Sequence, residues 1–131
     1  MSDTADYNII AAAQIVPIVP ANNQTLSVTL ANQPCKINIF TKHIQVPVHP
    51  PGSIITNPPI FEAIDPIFLD LYLNDVLVVG GVLCLNRVGI VRNPYFGFVG
   101  DLSFADTLGD EDPQVSGLGN RWLLCYWPNL L

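Results

Sequence analysis

Two histidines are the first residues whose spacing suggests chemistry. His43 and His49 bracket Ile-Gln-Val-Pro-Val, so in an extended segment they share a face and offer two ligands to a metal ion. A zinc site needs about four ligands, and no Cys or His stands at a companion spacing. No metal-ligating residue is therefore assigned. The acidic run Asp106, Asp110, Glu111 and Asp112 lacks the alternating ligand order and the glycine of a calcium loop, and it reads as a solvated turn. Serine, histidine and aspartate are all present, but no nucleophile elbow brings them together. Gly117-Leu-Gly119 lacks the third glycine and following helix of a dinucleotide fingerprint, and is a turn. Cys35, Cys84 and Cys125 are odd in number and sit in apolar, strand-like surroundings, where a free thiol behaves as a small hydrophobe. No catalytic residue, cofactor or disulfide framework follows, and the chain is read as not an enzyme.

The elements that would position these residues are strands. In Ile67-Phe-Leu-Asp-Leu-Tyr-Leu73 the odd positions are all apolar, while Phe68, Asp70 and Tyr72 face the other way, the period-two pattern of a half-buried strand. Asn74-Asp75 then predicts a two-residue turn, because both types tolerate left-handed backbone. The returning arm, Val76 to Leu85, is apolar at both parities and is expected to be covered on both faces, by its own core and by something else. Gly80-Gly81 predicts a bulge within it. Leu26, Val28 and Leu30, followed by Ala31-Asn-Gln-Pro34 and then Cys35, Ile37 and Ile39, predict a second hairpin whose hydroxyl- and amide-rich face is solvated.

From Lys42 to Pro66 the pattern gives way to a stretch holding six of the twelve prolines. Irregular segments longer than ~12–15 residues in a compact domain tend to be functional or disordered, and this one is too apolar for a free linker. It is read as a docking loop, with Val46, Val48, Ile54 and Ile55 as contact residues and a short helical turn over Ile60 to Ile64. After a polar connection from Arg87 to Pro94, Tyr95 to Ala105 resumes period two with Phe96, Phe98, Leu102 and Phe104 on one face; Gly97 and Gly100 mark sharp curvature. Asn120 to Trp127 is the closing strand. Its Trp122, Leu124 and Tyr126 are assigned to the core, and Trp127, with Leu130 and Leu131, to a partner's surface. The expected fold is all-β, a small antiparallel barrel or sandwich of six to seven strands in a single domain spanning 1–131, with 1–14 a flexible arm and 42–66 the long loop.

Charged residues make up 12% of the chain against roughly 25% in ordinary soluble domains, while half of the residues are hydrophobic. The longest apolar run, Val76 to Leu85, is far short of the ~20 residues of a spanning helix. Asp3 and Asp6 where a signal peptide would be basic, with Pro17 and Pro20 behind them, speak against a leader. The net charge of -6 and the scattering of the five cations disfavour direct, sequence-specific nucleic-acid binding. Surplus apolar surface then belongs against other protein chains.

Several stretches are similar to one known family. Val16-Pro-Ile, Asn23-Gln-Thr-Leu-Ser-Val-Thr-Leu30, Phe68-Leu-Asp-Leu71, Val79-Gly-Gly-Val-Leu83, Tyr95-Phe-Gly-Phe-Val-Gly-Asp-Leu102 and Leu118-Gly-Asn-Arg-Trp-Leu-Leu-Cys-Tyr126, in that order, resemble the baseplate plug proteins of contractile-tailed bacteriophages. The 42–66 stretch departs from that family in length and proline content. The resemblance implies a virion structural protein made in the host cytoplasm and built into the tail baseplate. Its expected partners are other baseplate proteins: hub, tube end, spike and wedge. The alternative is a carbohydrate- or receptor-binding β-sandwich of a phage tail, which should present exposed aromatics in a groove.

Overall fold

The computed structural model describes residues 13–47, 61–92 and 97–128. Two hairpins build its larger sheet. β2 (Asn23–Leu30) and β3 (Gln33–Thr41) are joined by Ala31 and Asn32, at φ 50° and 62°. β6 (Ile67–Leu73) and β7 (Val76–Leu83) are joined by Asn74 and Asp75, at φ 50° and 63°. Two left-handed residues in succession make the turn whose twist matches that of the strands it connects. The first turn is tighter than the expected Ala31 to Pro34, because Gln33 and Pro34 already pair with Leu30 and Thr29. Strand order is β2-β3-β6-β7, antiparallel throughout.

Register decides which side chains meet. Ile37 lies opposite Leu71 and Ile39 opposite Leu69, and all four are at most 1% exposed. Full burial of such a side chain contributes roughly 1.5–3 kcal/mol, so this row anchors the sheet. The predicted bulge is present at Gly80-Gly81, where the pairing with β6 slips. There Gly81, at φ 62°, donates its N–H to Asp70 Oδ1 at 2.6 Å. The lone charge of β6 thus holds the bulge in place.

The smaller sheet has the order β1-β9-β8. β1 is Gln14–Val16, β8 Asp101–Asp106 and β9 Trp122–Trp127, both pairings being antiparallel. Trp122, Leu124 and Tyr126 point into the core, as expected, beside Val16, Leu102 and Phe104. These residues share one buried cluster with the inner face of the larger sheet, so the architecture is an open sandwich and not a closed barrel. Gln33 latches the layers through its side-chain amide, which accepts from Val99 N at 2.9 Å and donates to Val99 O at 3.0 Å.

Four features differ from expectation. Within 42–66 the chain forms β4 (Ile44–Pro47) and β5 (Phe61–Ile64), an antiparallel two-stranded ribbon. Phe61–Ile64 is therefore strand and not the helical turn expected over Ile60 to Ile64; Ile60 lies outside the described residues. Pro47 is tolerated because a two-stranded ribbon is all edge. The ribbon raises the count among the described residues to nine strands, where six to seven were expected.

The second difference is β7, an edge strand whose Val76, Leu77 and Leu83 are 65%, 46% and 41% exposed, so the described residues cover it only in part. Third, the strand expected over Tyr95 to Ala105 runs only from Asp101, with Phe98 buried ahead of it; Tyr95 and Phe96 lie outside the described residues. The connection before it is less polar than its sequence suggests, since Ile90 and Val91 are buried and the segment bonds along β8, Arg87 N to Phe104 O and Ile90 N to Leu102 O. Last, of the 1–14 arm, 1–12 lie outside the described residues and Gln14 opens β1.

Candidate functional site

The residues singled out for chemistry turn out to have structural duties. His43 Nδ1 lies 2.9 Å from Asp65 Oδ1 at the root of the ribbon, both side chains well exposed. Such a pair contributes little in water. His49 lies outside the described residues, and among those described no three His, Cys, Asp or Glu side chains converge on a metal position. Cys35, Cys84 and Cys125 are free and buried. Burial raises all three thiols, Cys84 to about 12 and Cys125 to about 11, so none supplies a thiolate at neutral pH.

The acidic loop holds a feature that its sequence hides. Asp106 is not solvated: its side chain is fully buried at the end of β8. Arg121, just before β9, meets it with two hydrogen bonds, Nε to Oδ1 and an Nη2 to Oδ2, each 2.8 Å. The backbone N–H groups of Leu108 and Glu111 add one each at 2.9 Å, folding the loop around the carboxylate. Arg121 also reaches Glu111 at 3.2 Å and lies 4.4 Å over the ring of Trp122, whose indole N–H donates to Glu111 O at 2.9 Å. Strand register explains the meeting, because Asp106 pairs with Trp122 across β8 and β9. Asp101 does similar work, accepting from Val91 N, Leu102 N and Arg92 N. These carboxylates close loops, with both oxygens of each engaged.

Arg121 and the loop amides, working against burial, hold the Asp106 carboxyl well below the usual carboxylate range. A lowered folded-state value means stability that is complete above the unfolded pKa of ~3.9 and is lost as pH falls through the folded one. The melting temperature should therefore fall below about pH 4. Arg121→Met should melt lower at pH 7 and lose much of that acid dependence; an unchanged acid limb in thermal melts would rule the pair out as its source.

The surfaces are more informative than the carboxylates. All four residues of β5 are exposed, Phe61 at 53% and Ile64 at 39%, so among the described residues no apolar layer covers this strand. An open cleft of about 890 Å³ separates its root from the loop at 110–116, lined by Thr41, Ile64, Asp65, Glu111, Pro113 and neighbouring residues. Among the described residues, no aromatic side chain lines it. Of the contact residues expected from sequence, Val46 is half-buried in β4 and Trp127 half-buried in β9, with its indole N–H on Ser103 Oγ at 3.0 Å. They lie on separate sheets. Val48, Ile54, Ile55, Leu130 and Leu131 lie outside the described residues. The apolar surface of β7 was expected from its apolar residues at both parities; its place at the edge of the sheet was not.

Comparison with known proteins gives one finding and one blank. No curated protein matches the chain. A family model described as the cyanophage baseplate plug gp18 of Pam3 matches residues 53–129. That span takes in the return strand of the ribbon, the β6–β7 hairpin and the whole β8–β9 unit with its buried Asp106–Arg121 pair. Covering more than half of the sequence, it agrees with the resemblance read from the strand motifs, and the chain belongs to the cyanophage baseplate Pam3 plug gp18 family.

Proposed function

We propose that this protein is a structural component of a phage tail baseplate, made in the host cytoplasm, acting through contacts with other baseplate proteins at the hub, tube end, spike or wedge. Family membership supports the baseplate role. The ribbon supports the contact role. A two-stranded ribbon is marginal alone in water, yet this one carries Phe61 and Ile64 outward, away from the sandwich core. Apolar side chains held so are suited to seating against a neighbour, with Val46, Val48, Ile54 and Ile55 continuing the surface and Trp127, Leu130 and Leu131 forming a second. Prolines on the stretch between the two strands restrict its unbound conformations and so lower the entropy lost on docking. The baseplate reading is preferred to a sugar- or receptor-binding module, since the described lining of the cleft offers no aromatic platform.

Replacing His49 to Thr56 with a Gly/Ser linker tests the reading. The sandwich should melt within about 2 °C of the native protein, because every described core residue is retained. Incorporation into purified tails, read by mass spectrometry, should drop at least tenfold, equivalent to ~1.4 kcal/mol of lost docking energy. Particles that assemble and infect normally would reduce the stretch to a spacer.

A further inference from the structure

The two packed sheets have four edges, β2, β7, β1 and β8, and the last two are short or covered. Along β2, Gln14 Nε2 donates to Thr29 O at 3.0 Å. β8 is covered by the segment that follows β7, through Arg87 N, Ile90 N and the parallel bridge of Asn86 to Phe104. β1 is three residues long. Short or covered edges are how soluble proteins avoid unwanted strand pairing. β2 and β7 are both eight residues long without a charge or a proline, but β2 alternates in polar side chains, Asn23, Thr25, Ser27 and Thr29, whereas β7, Val-Leu-Val-Val-Gly-Gly-Val-Leu, has no polar side chain at all. Among the described residues, the one group from outside the β6–β7 hairpin that bonds to the β7 backbone is the adjacent Cys84 thiol, on Val82 O.

A row of free N–H and C=O groups that leaves water for a protein partner is matched along its whole length by another extended backbone, which sets the geometry of the occupant. The neighbouring face sets its chemistry. Leu77 stands beside Tyr72 and Leu83 beside Phe68, making an apolar strip that continues through Phe40, stacked on Phe68 at 5.8 Å. Over this strip lie two of the five cations: Lys36, 4.5 Å from the Tyr72 ring, and Lys42, 4.8 Å from the Phe68 ring. Asp70, the one charge of β6, is engaged by Gly81. A second copy's β7 brings no charge to answer these lysines.

We propose that in the assembled baseplate β7 is extended by a strand from a neighbouring, different protein, one with apolar side chains at alternate positions and a carboxylate directed at Lys36 and Lys42. The proposal rests on the baseplate role given above. Two measurements test it. An electron cryomicroscopy map of the purified tail should show a fifth strand hydrogen-bonded along Val76–Leu83 and belonging to another protein. Leu77→Lys with Leu83→Lys, both on exposed positions, should leave the melting temperature nearly unchanged and lower incorporation at least tenfold. The matched pair Thr25→Lys with Ser27→Lys, on the opposite edge strand, should incorporate as the native protein does. A baseplate that holds the chain with β7 in solvent, or covered by a helix, by its own 48–60 segment or by a second copy, overturns this inference alone. A baseplate without the chain overturns the proposed function as well.

Discussion

Trp122→Ala should lower the stability of the isolated protein by roughly 3–5 kcal/mol, as truncation of a core aromatic does. For a chain of this size that is a fall of about 10–20 °C in melting temperature. The side chain is 3% exposed, and Gly117 is packed so closely on its ring that a β-carbon there would collide with it. Nothing close by is free to fill the void: β9 is fixed on both sides by β1 and β8, and the Arg121 guanidinium is tied to Asp106. Removal also orphans the carbonyl of Glu111, which accepts the indole N–H. Trp127, five residues on, is the counter-case. It is half-buried and holds one hydrogen bond, to Ser103 Oγ, so Trp127→Ala should cost about 1 kcal/mol in the isolated protein while reducing incorporation into tails. Equal losses in thermal melts of the two variants would place Trp127 in the core and remove it from the docking surface.

Gly100→Ala should be comparably damaging for a different reason. Gly100 sits at φ 98°, where an L side chain costs roughly 1–2 kcal/mol. Its β-carbon would also run into the carbonyl oxygen of Trp127 and lie 2.6 Å from Tyr126 Oη. The first obstacle is backbone, so relief requires β9 itself to shift. That shift would part Tyr126 from Val99 and from Gln33, whose amide joins the two sheets. Loss of about 3 kcal/mol or more is expected, at the upper end for single substitutions. Gly109→Ala is the control: a β-carbon added there meets its nearest neighbours at 3.6–3.7 Å, so the variant should melt within ~0.5 kcal/mol of native. Chemical denaturation curves of both variants decide the matter, and a Gly100→Ala protein as stable as Gly109→Ala would refute the argument.

The hairpins were legible because side-chain alternation and turn chemistry act locally. Ile67 to Leu73 show their buried face by period two, and Asn74-Asp75 accept the left-handed backbone that the turn demands. The ribbon was not, since Ile44 and Val46 alternate correctly but their prolines speak as loudly for irregular chain. The Asp106–Arg121 pair was hidden for another reason: its partners meet through strand register, and a loop carboxylate in sequence looks the same whether water or a guanidinium receives it. β7 shows the limit of composition. A strand apolar at both parities reads identically when both faces are covered and when one is waiting to be.

The placement of β9 at the centre of its sheet has a consequence for synthesis. Gln14–Val16 pair with Leu124–Tyr126, residues from opposite ends of the described chain, whereas the larger sheet is complete once Leu83 has been made. Hairpins closed by two-residue turns form in about 1–10 μs. Translation, at roughly 5–20 residues per second, needs several seconds to travel from Leu83 to Trp127. During that interval β1 and β8 have no strand between them, and the inner row of Ile37, Ile39, Leu69 and Leu71 waits on the ribosome for the layer that will cover it.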